Sequence, residues 1–99
     1  MPDYEVIALF TPAEGRADDV AAGLAGLVAP SRAEPANRSY SVRLIDGTPP
    51  RYAVLESYRD RAGFEAHRAQ AHTSAFLARA GELLAGPPEV LVLEPGEVR

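Results

Sequence analysis

The sequence contains no cysteine, no lysine and no tryptophan among its 99 residues. Without cysteine the chain can form no disulfide, thiolate nucleophile, iron–sulfur cluster or cysteine-ligated zinc site. All ten basic residues are arginine, which excludes a Schiff-base amine and a lysine general base. Acid–base chemistry would therefore have to come from the two histidines, the carboxylates and the tyrosines.

Dense positive charge is also missing, because the net charge is -4 at pH 7. Nucleic acids and anionic membranes bind positively charged surfaces, so neither is expected as a partner. No apolar run approaches the length of a membrane span, and acidic residues stand near the N-terminus where a signal peptide would carry positive charge. These features predict a cytoplasmic protein.

The composition is that of an ordinary globular protein, with 46% hydrophobic and 24% charged residues. The length predicts one domain that spans residues 1–99.

Four runs of residues have the composition of β-strands. They cover residues 4–10, 37–46, 51–58 and 89–94. The turn at residues 47–50 predicts that the second and third strands form an antiparallel hairpin.

Helical patterns separate these strands. Residues 11–14 match a capping box, and an apolar stripe from Val20 to Val28 follows until Pro30, which should end the helix and leave residues 29–36 as a loop. Asp60 is a candidate N-cap for a helix over residues 61–71. The next apolar stripe predicts one further helix, capped by Thr73 or Ser74 and ended by Gly86. The stripe consists of Phe76, Ala80, Leu83 and Leu84.

The order strand, helix, strand, strand, helical segment, strand predicts an α+β fold of the ferredoxin-like, split βαβ type. Its helices cover one face of the sheet, yet the first and last strands are apolar on both faces. A soluble monomer rarely exposes such a surface, so we expect a homodimer that pairs sheet to sheet.

Residues 55–77, LESYRDRAGFEAHRAQAHTSAFL, carry the most informative motif. A strand with Glu56 and Tyr58 leads into a helix with the pattern F-x-x-H, and a second histidine opens the next helix. This arrangement resembles the antibiotic biosynthesis monooxygenase family. The resemblance implies a dimeric α+β barrel with a pocket between sheet and helices. It also implies one of several activities: quinol and anthrone oxygenation without metal or flavin, haem degradation, or isomerisation of small sugars.

His67 is the leading catalytic candidate, because its place one turn after Phe64 directs it toward Glu56 and Tyr58 on the hairpin. A neutral imidazole there could deprotonate a small aromatic substrate, whose anion would reduce dioxygen without a cofactor. Glu56 could orient His67, accept a proton, or form an ion pair across a dimer. His67 itself could instead be a hydrogen-bonded structural residue.

Further substrate-contact candidates are Phe64, His72, Phe76, Tyr40 and Tyr52, although a structural role is the first interpretation for each of them. His72 follows His67 by five residues, so on a continuous helix the two diverge, unless a bend between two helices brings them closer. His72 is then expected to be a solvent-exposed residue at a helix start, and no metal site is expected. Arg43 lies on the strand face opposite Tyr40. The resemblance implies that haem-degrading members of the family have an asparagine on the first strand and a tryptophan near the end of the third. This chain has no asparagine on its first strand and no tryptophan, so haem binding is not expected.

Three functional hypotheses follow. The first is a cofactor-independent monooxygenase acting on a quinol, anthrone or polyketide-like aromatic, with His67 as base and Glu56 or Tyr58 as its orienting partner. The second is an isomerase or lyase that uses the same base on a small metabolite. The third is a non-catalytic, dimeric ligand-binding protein.

Overall fold

A computed structural model describes residues 2–98. The elements in chain order are β1 (Tyr4–Phe10), α1 (Ala17–Arg32), β2 (Asn37–Ile45), β3 (Arg51–Tyr58), α2 (Arg61–Arg68), α3 (Ala71–Ala78), α4 (Ala80–Leu83) and β4 (Glu89–Val92). The strands form one antiparallel sheet in the order β2-β3-β1-β4. The predicted ferredoxin-like α+β fold is therefore confirmed, with the second helical region divided into three helices.

The strand register assigns alternate side chains to the two faces of the sheet. Val6, Ala8 and Phe10 of β1 pair with Glu56, Val54 and Tyr52 of β3, and this face packs against the helices. The opposite face carries apolar side chains that the helices leave partly exposed, namely Ile7, Leu9, Leu55 and Leu91. The sheet thus has one covered face and one uncovered apolar face.

The main hydrophobic core lies between α1 and the covered face. Val20 and Leu24 are fully buried and Leu27 nearly so, which confirms the apolar stripe predicted for this helix. They pack with Phe10, Val54 and other buried residues of the sheet and of α3. The i, i+4, i+7 spacing therefore fixes which side of α1 faces the sheet.

Both predicted ends of α1 were wrong. The helix begins at Ala17, because the backbone of the proposed capping box is bonded elsewhere: Ala13 N–H donates to Leu83 O at 2.8 Å, and Ala85 N–H donates to Thr11 O at 2.8 Å. Pro30 lies inside the helix, which continues to Arg32. In the last turn a proline removes only one backbone donor, and Ala33 N–H still bonds Ala29 O.

The second helical region differs from its prediction at the helix ends. Asp60 caps α2 as expected, accepting from Gly63 N–H at 2.9 Å, but α2 ends at Arg68 and α3 begins at Ala71. The extended backbone of Gln70 separates the two helices, so the cap of α3 is neither Thr73 nor Ser74, which both lie inside it. β2 and β4 end one and two residues earlier than predicted.

Gly63 allows α2 to approach the sheet closely. A Cβ at this position would lie 2.6 Å from Ala36 Cβ and 3.4 Å from Tyr58 Cβ, so no larger residue fits without a backbone shift. His67 follows one turn later on the same helix. The absence of a side chain at Gly63 therefore helps to set the distance between His67 and β3.

We expect Gly63→Ala to lower the free energy of unfolding by about 1–3 kcal/mol. The added methyl group would lie too close to Ala36 Cβ, and that atom cannot move away without a shift of the backbone. Urea denaturation followed by circular dichroism measures the change. Gly81→Ala is the matched control, since a Cβ at Gly81 meets nothing within 4 Å and should be neutral or slightly stabilising. Equal stabilities of the two variants would contradict the packing argument.

Candidate functional site

A cavity of about 240 Å³ lies between the covered face of the sheet and the helices. Most of the residues that line the cavity are apolar. These apolar residues are Val6, Ala8, Phe10, Leu27, Phe64, Phe76, Leu77, Pro88 and Val90. The polar lining comprises Tyr40, Glu56, His67, Arg68 and Thr73. An apolar cleft with a few converging polar groups is the usual form of a small-molecule site.

His67 lines this cavity and is only 4% exposed. Its ring packs near the rings of both Tyr40 and Tyr58, with centroid distances of 5.6 and 5.4 Å. His67 Nε2 is 3.7 Å from Glu56 Oε1. The predicted direction of His67, toward Glu56 and Tyr58 on the hairpin, is the direction observed.

Glu56 is a buried carboxyl group on the cavity wall. Tyr58, which is fully buried and does not line the cavity, donates from its hydroxyl to Glu56 Oε1 at 2.7 Å. Burial raises the pKa of Glu56, and the nearby Glu34 charge adds to this effect, while the Tyr58 hydrogen bond and His67 oppose it. Glu56 is thus a group whose proton affinity is increased by its surroundings.

The two tyrosines beside His67 remain hydrogen-bond donors. Burial is the largest cause that raises the pKa of Tyr40, followed by the charge of Glu56. Burial also raises the pKa of Tyr58, and its hydrogen bond to Glu56 raises it further. Of the two, only Tyr40 faces the cavity, so its phenol is the one that a bound molecule could contact.

Glu34 is the important residue that the sequence analysis missed. Its side chain is 7% exposed, and its carboxylate accepts from His67 Nδ1 at 2.9 Å and from His72 Nε2 at 2.7 Å. The partners are 33 and 38 residues away in the chain, so no local pattern indicates the contact. It depends on α1 continuing past Pro30, which places Glu34 just beyond the end of the helix.

His72 was expected to point away from His67 on a continuous helix, unless a bend brought the two closer. The break between α2 and α3 provides that bend, and the two rings are 6.1 Å apart. His72 does not line the cavity, but its side chain is only 21% exposed and bonds Glu34. The expectation of a solvent-exposed histidine at a helix start was therefore wrong.

The remaining predicted residues divide into two groups. Phe64 and Phe76 line the cavity, and Phe76 packs edge-on against Phe10 with centroids 5.8 Å apart. Tyr52 does not line the cavity; its hydroxyl donates to Ala17 O at 3.4 Å. Arg43 is exposed on the opposite face of the sheet.

Thr73 lines the cavity, although the sequence suggested only a capping role for it. Its hydroxyl is buried and has no hydrogen-bond partner among residues 2–98. A buried hydroxyl without a partner is costly, and a polar atom of a bound molecule would satisfy it. Thr73 is therefore a residue of the cavity lining whose hydroxyl group has unused hydrogen-bonding capacity.

One group of side chains has the residue types of a metal site. Glu34, His67 and His72 each offer one ligand atom, and these atoms lie within 4.8 Å of one another. The observed nitrogen–oxygen distances of 2.9 and 2.7 Å are those of hydrogen bonds, in which both ring nitrogens carry protons. A metal ion would require both nitrogens to be deprotonated.

The sequence profile of the antibiotic biosynthesis monooxygenase family matches residues 3–79. Rv0793 of Mycobacterium tuberculosis is 36% identical over 91 residues, which are 91% of this chain and 88% of the relative. YcnE of Bacillus subtilis is 35% identical over 71 residues, which are 72% of this chain and 75% of the relative. Both relatives bear the name "putative monooxygenase".

Solved structures agree with these sequence matches. The structure of Rv0793 superposes with a TM-score of 0.89 at 32% identity, covering 97% of each chain. PA3566 of Pseudomonas aeruginosa superposes with a TM-score of 0.91 at 28% identity, covering 98% of this chain and 97% of that one. The chain belongs to the antibiotic biosynthesis monooxygenase family. Within residues 2–98, no helix combines the length and apolar character needed to cross a membrane.

The raised pKa of Glu56 predicts a dependence of stability on pH. The folded state holds the Glu56 proton more tightly than the unfolded chain, so the free energy of unfolding should fall as pH rises from the unfolded pKa through the folded pKa. The loss is about 1.4 kcal/mol for each unit of difference. Glu56→Gln removes the ionisation and keeps an oxygen for Tyr58, so this loss should be absent.

Urea denaturation at intervals from pH 4 to pH 8 compares the two proteins. The exposed Glu14 offers a matched control, and Glu14→Gln should keep the pH profile of the parent protein. If the parent protein and Glu56→Gln respond to pH in the same way, burial does not raise the proton affinity of Glu56.

Proposed function

We propose that this protein is a cofactor-independent monooxygenase acting on a quinol, anthrone or polyketide-like aromatic substrate, with His67 as the general base. Membership of the family supports a monooxygenase-like activity. The observation that carries the proposal is the position of His67: its Nδ1 is bonded to Glu34, while its Nε2 lies near Glu56 beside an apolar cavity. A base with one bonded and one available nitrogen suits removal of a phenolic or enolic proton.

The reaction would begin when His67 Nε2 takes a proton from the substrate. The resulting aromatic anion is electron-rich and can transfer an electron to dioxygen, and the two radicals then combine to a peroxide. For an anthrone-type methylene group, loss of water from the peroxide leaves a carbonyl, so one oxygen atom enters the product and the other leaves as water. All the electrons come from the substrate, and no further reductant is needed.

The cavity would support this chemistry in two ways. Its apolar walls, including Phe10, Phe64 and Phe76, would pack against the aromatic substrate and exclude water from the anion. Tyr40 and Thr73 line the same cavity, and their hydroxyl groups would donate hydrogen bonds to substrate oxygens. Glu56 would receive or return a proton through His67 Nε2, with Tyr58 holding its carboxyl group in place.

Oxygen uptake by the purified protein, stripped of metal and free of flavin, tests the proposal against a panel of hydroquinones and anthrones. His67→Ala should lower kcat/KM by about 10²-fold or more, since a general base contributes rate increases of that order. Glu65→Gln, an exposed change on the same helix, is the control and should leave the rate unchanged.

Three results would contradict the oxygenase proposal. Uptake no faster than spontaneous oxidation would show that the panel is not turned over. Conversion of substrate without oxygen, still dependent on His67, would indicate an isomerase or lyase that uses the same base. Binding without turnover of any substrate would instead favour a ligand-binding protein.

The proposal includes a homodimer formed through the uncovered apolar face of the sheet. Leu55 and Leu91 are 37% and 41% exposed there, and Leu93, beyond the end of β4, is 44% exposed. Ile7 and Leu9 continue the same surface. A patch of this kind is unusual on a monomer, and a second copy of the same face would cover it.

Leu55→Arg should convert such a dimer to a monomer, because it places a charge near the centre of the apolar face. Multi-angle light scattering after size-exclusion chromatography measures the mass. Val98→Arg is the control, since Val98 is fully exposed outside the sheet. A parent protein that already elutes as a monomer, or a variant that stays dimeric, would exclude this interface.

A further inference from the structure

We propose that Glu34, held in place by His72, is the positioning residue that keeps the proton of His67 on Nδ1 and thereby leaves Nε2 available to the cavity. The inference rests on the proposed function for its catalytic meaning. The hydrogen-bonding state itself can be measured without any substrate. Failure of the inference and failure of the proposed function are therefore separable.

The hydrogen bond between Glu34 and His67 determines which ring nitrogen of His67 carries the proton. A carboxylate only accepts hydrogen bonds, and both oxygens of Glu34 lie close to His67 Nδ1, at 3.1 and 2.9 Å. Nδ1 must therefore carry the hydrogen. In a neutral imidazole the other nitrogen then has a lone pair, so Nε2 is the basic atom.

His67 and Glu34 are both buried, and their burial makes the contact between them important. His67 and Glu34 have side chains that are 5% and 7% exposed, so neither group can turn to water without disrupting its surroundings. When His67 takes up a proton at Nε2, a positive charge forms at this buried position. The Glu34 carboxylate beside Nδ1 offsets the cost of that charge and holds the ring in one orientation.

His72 forms a second hydrogen bond to the Glu34 carboxylate. Its Nε2 lies 2.7 Å from Glu34 Oε2, the same oxygen that is closer to His67, so the carboxylate receives hydrogen bonds from two sides. Because a buried carboxylate needs such partners, His72 stabilises Glu34 in the orientation that His67 requires. Three elements contribute to the chain of bonds: the segment after α1, α2, and the first turn of α3.

Histidine-specific nitrogen NMR tests the inference directly. Long-range proton–nitrogen correlations distinguish Nδ1–H from Nε2–H, and the chain has only two histidines. In spectra of the neutral imidazoles, the parent protein should show the Nδ1–H form of His67 and the Nε2–H form of His72. Glu65→Gln should give the same spectrum.

Glu34→Gln should remove this preference, because an amide can donate as well as accept, and His67 should become a mixture of both forms. His72→Phe should cause a smaller change in the same direction, and it provides the decisive comparison if Glu34→Gln does not fold. With an active substrate, Glu34→Gln should lower kcat about 10-fold or more with little change in KM.

Three results would overturn the inference. They are an Nε2–H form of His67 in the parent protein, an unchanged His67 spectrum in the two variants, or one-to-one binding of added Zn²⁺ that removes the N–H signals of both histidines. Expected spectra without oxygen uptake would leave the inference intact and reject the proposed function. Oxygen uptake with the wrong form of His67 would reject the inference alone.

Discussion

The hydrogen bonds that join Glu34 to both histidines depend on the ends of three different helices. α1 must continue through Pro30 so that Glu34 lies just beyond its last turn. α2 must stop at Arg68, and Gln70 must be extended, so that His72 turns back toward His67. The contacts of Glu34 with His67 and His72 therefore form only when all three helices begin and end at these residues.

The same dependence explains which features were predictable from the sequence. The strands, the hairpin and the Asp60 cap follow from local patterns, and the strand period correctly directs Glu56 and Tyr58 to the face that meets α2. The contact of His67 with these residues follows from its place one turn after Phe64. In each case the evidence is contained within a few consecutive residues.

Two of the three failures have a common physical cause, which is pairing with residues far away in the chain. Residues 11–14 match a capping box, but the backbone groups of Thr11 and Ala13 pair with Ala85 and Leu83, which are about 70 residues away. Pro30 is tolerated because it costs only one hydrogen bond near the end of the helix. Glu34 joins two partners that are more than 30 residues away. Long-range pairing of this kind leaves no trace in periodicity or capping motifs.

The division of the cavity between elements affects how the protein could change in evolution. His67 and Glu56 lie on α2 and β3, whereas Leu27, Phe76 and Val90 line the cavity from α1, α3 and β4. Substitutions among these apolar residues could therefore alter the size and shape of the cavity without moving His67 or Glu56. The two features of the cavity, its shape and its polar groups, are thus free to change separately.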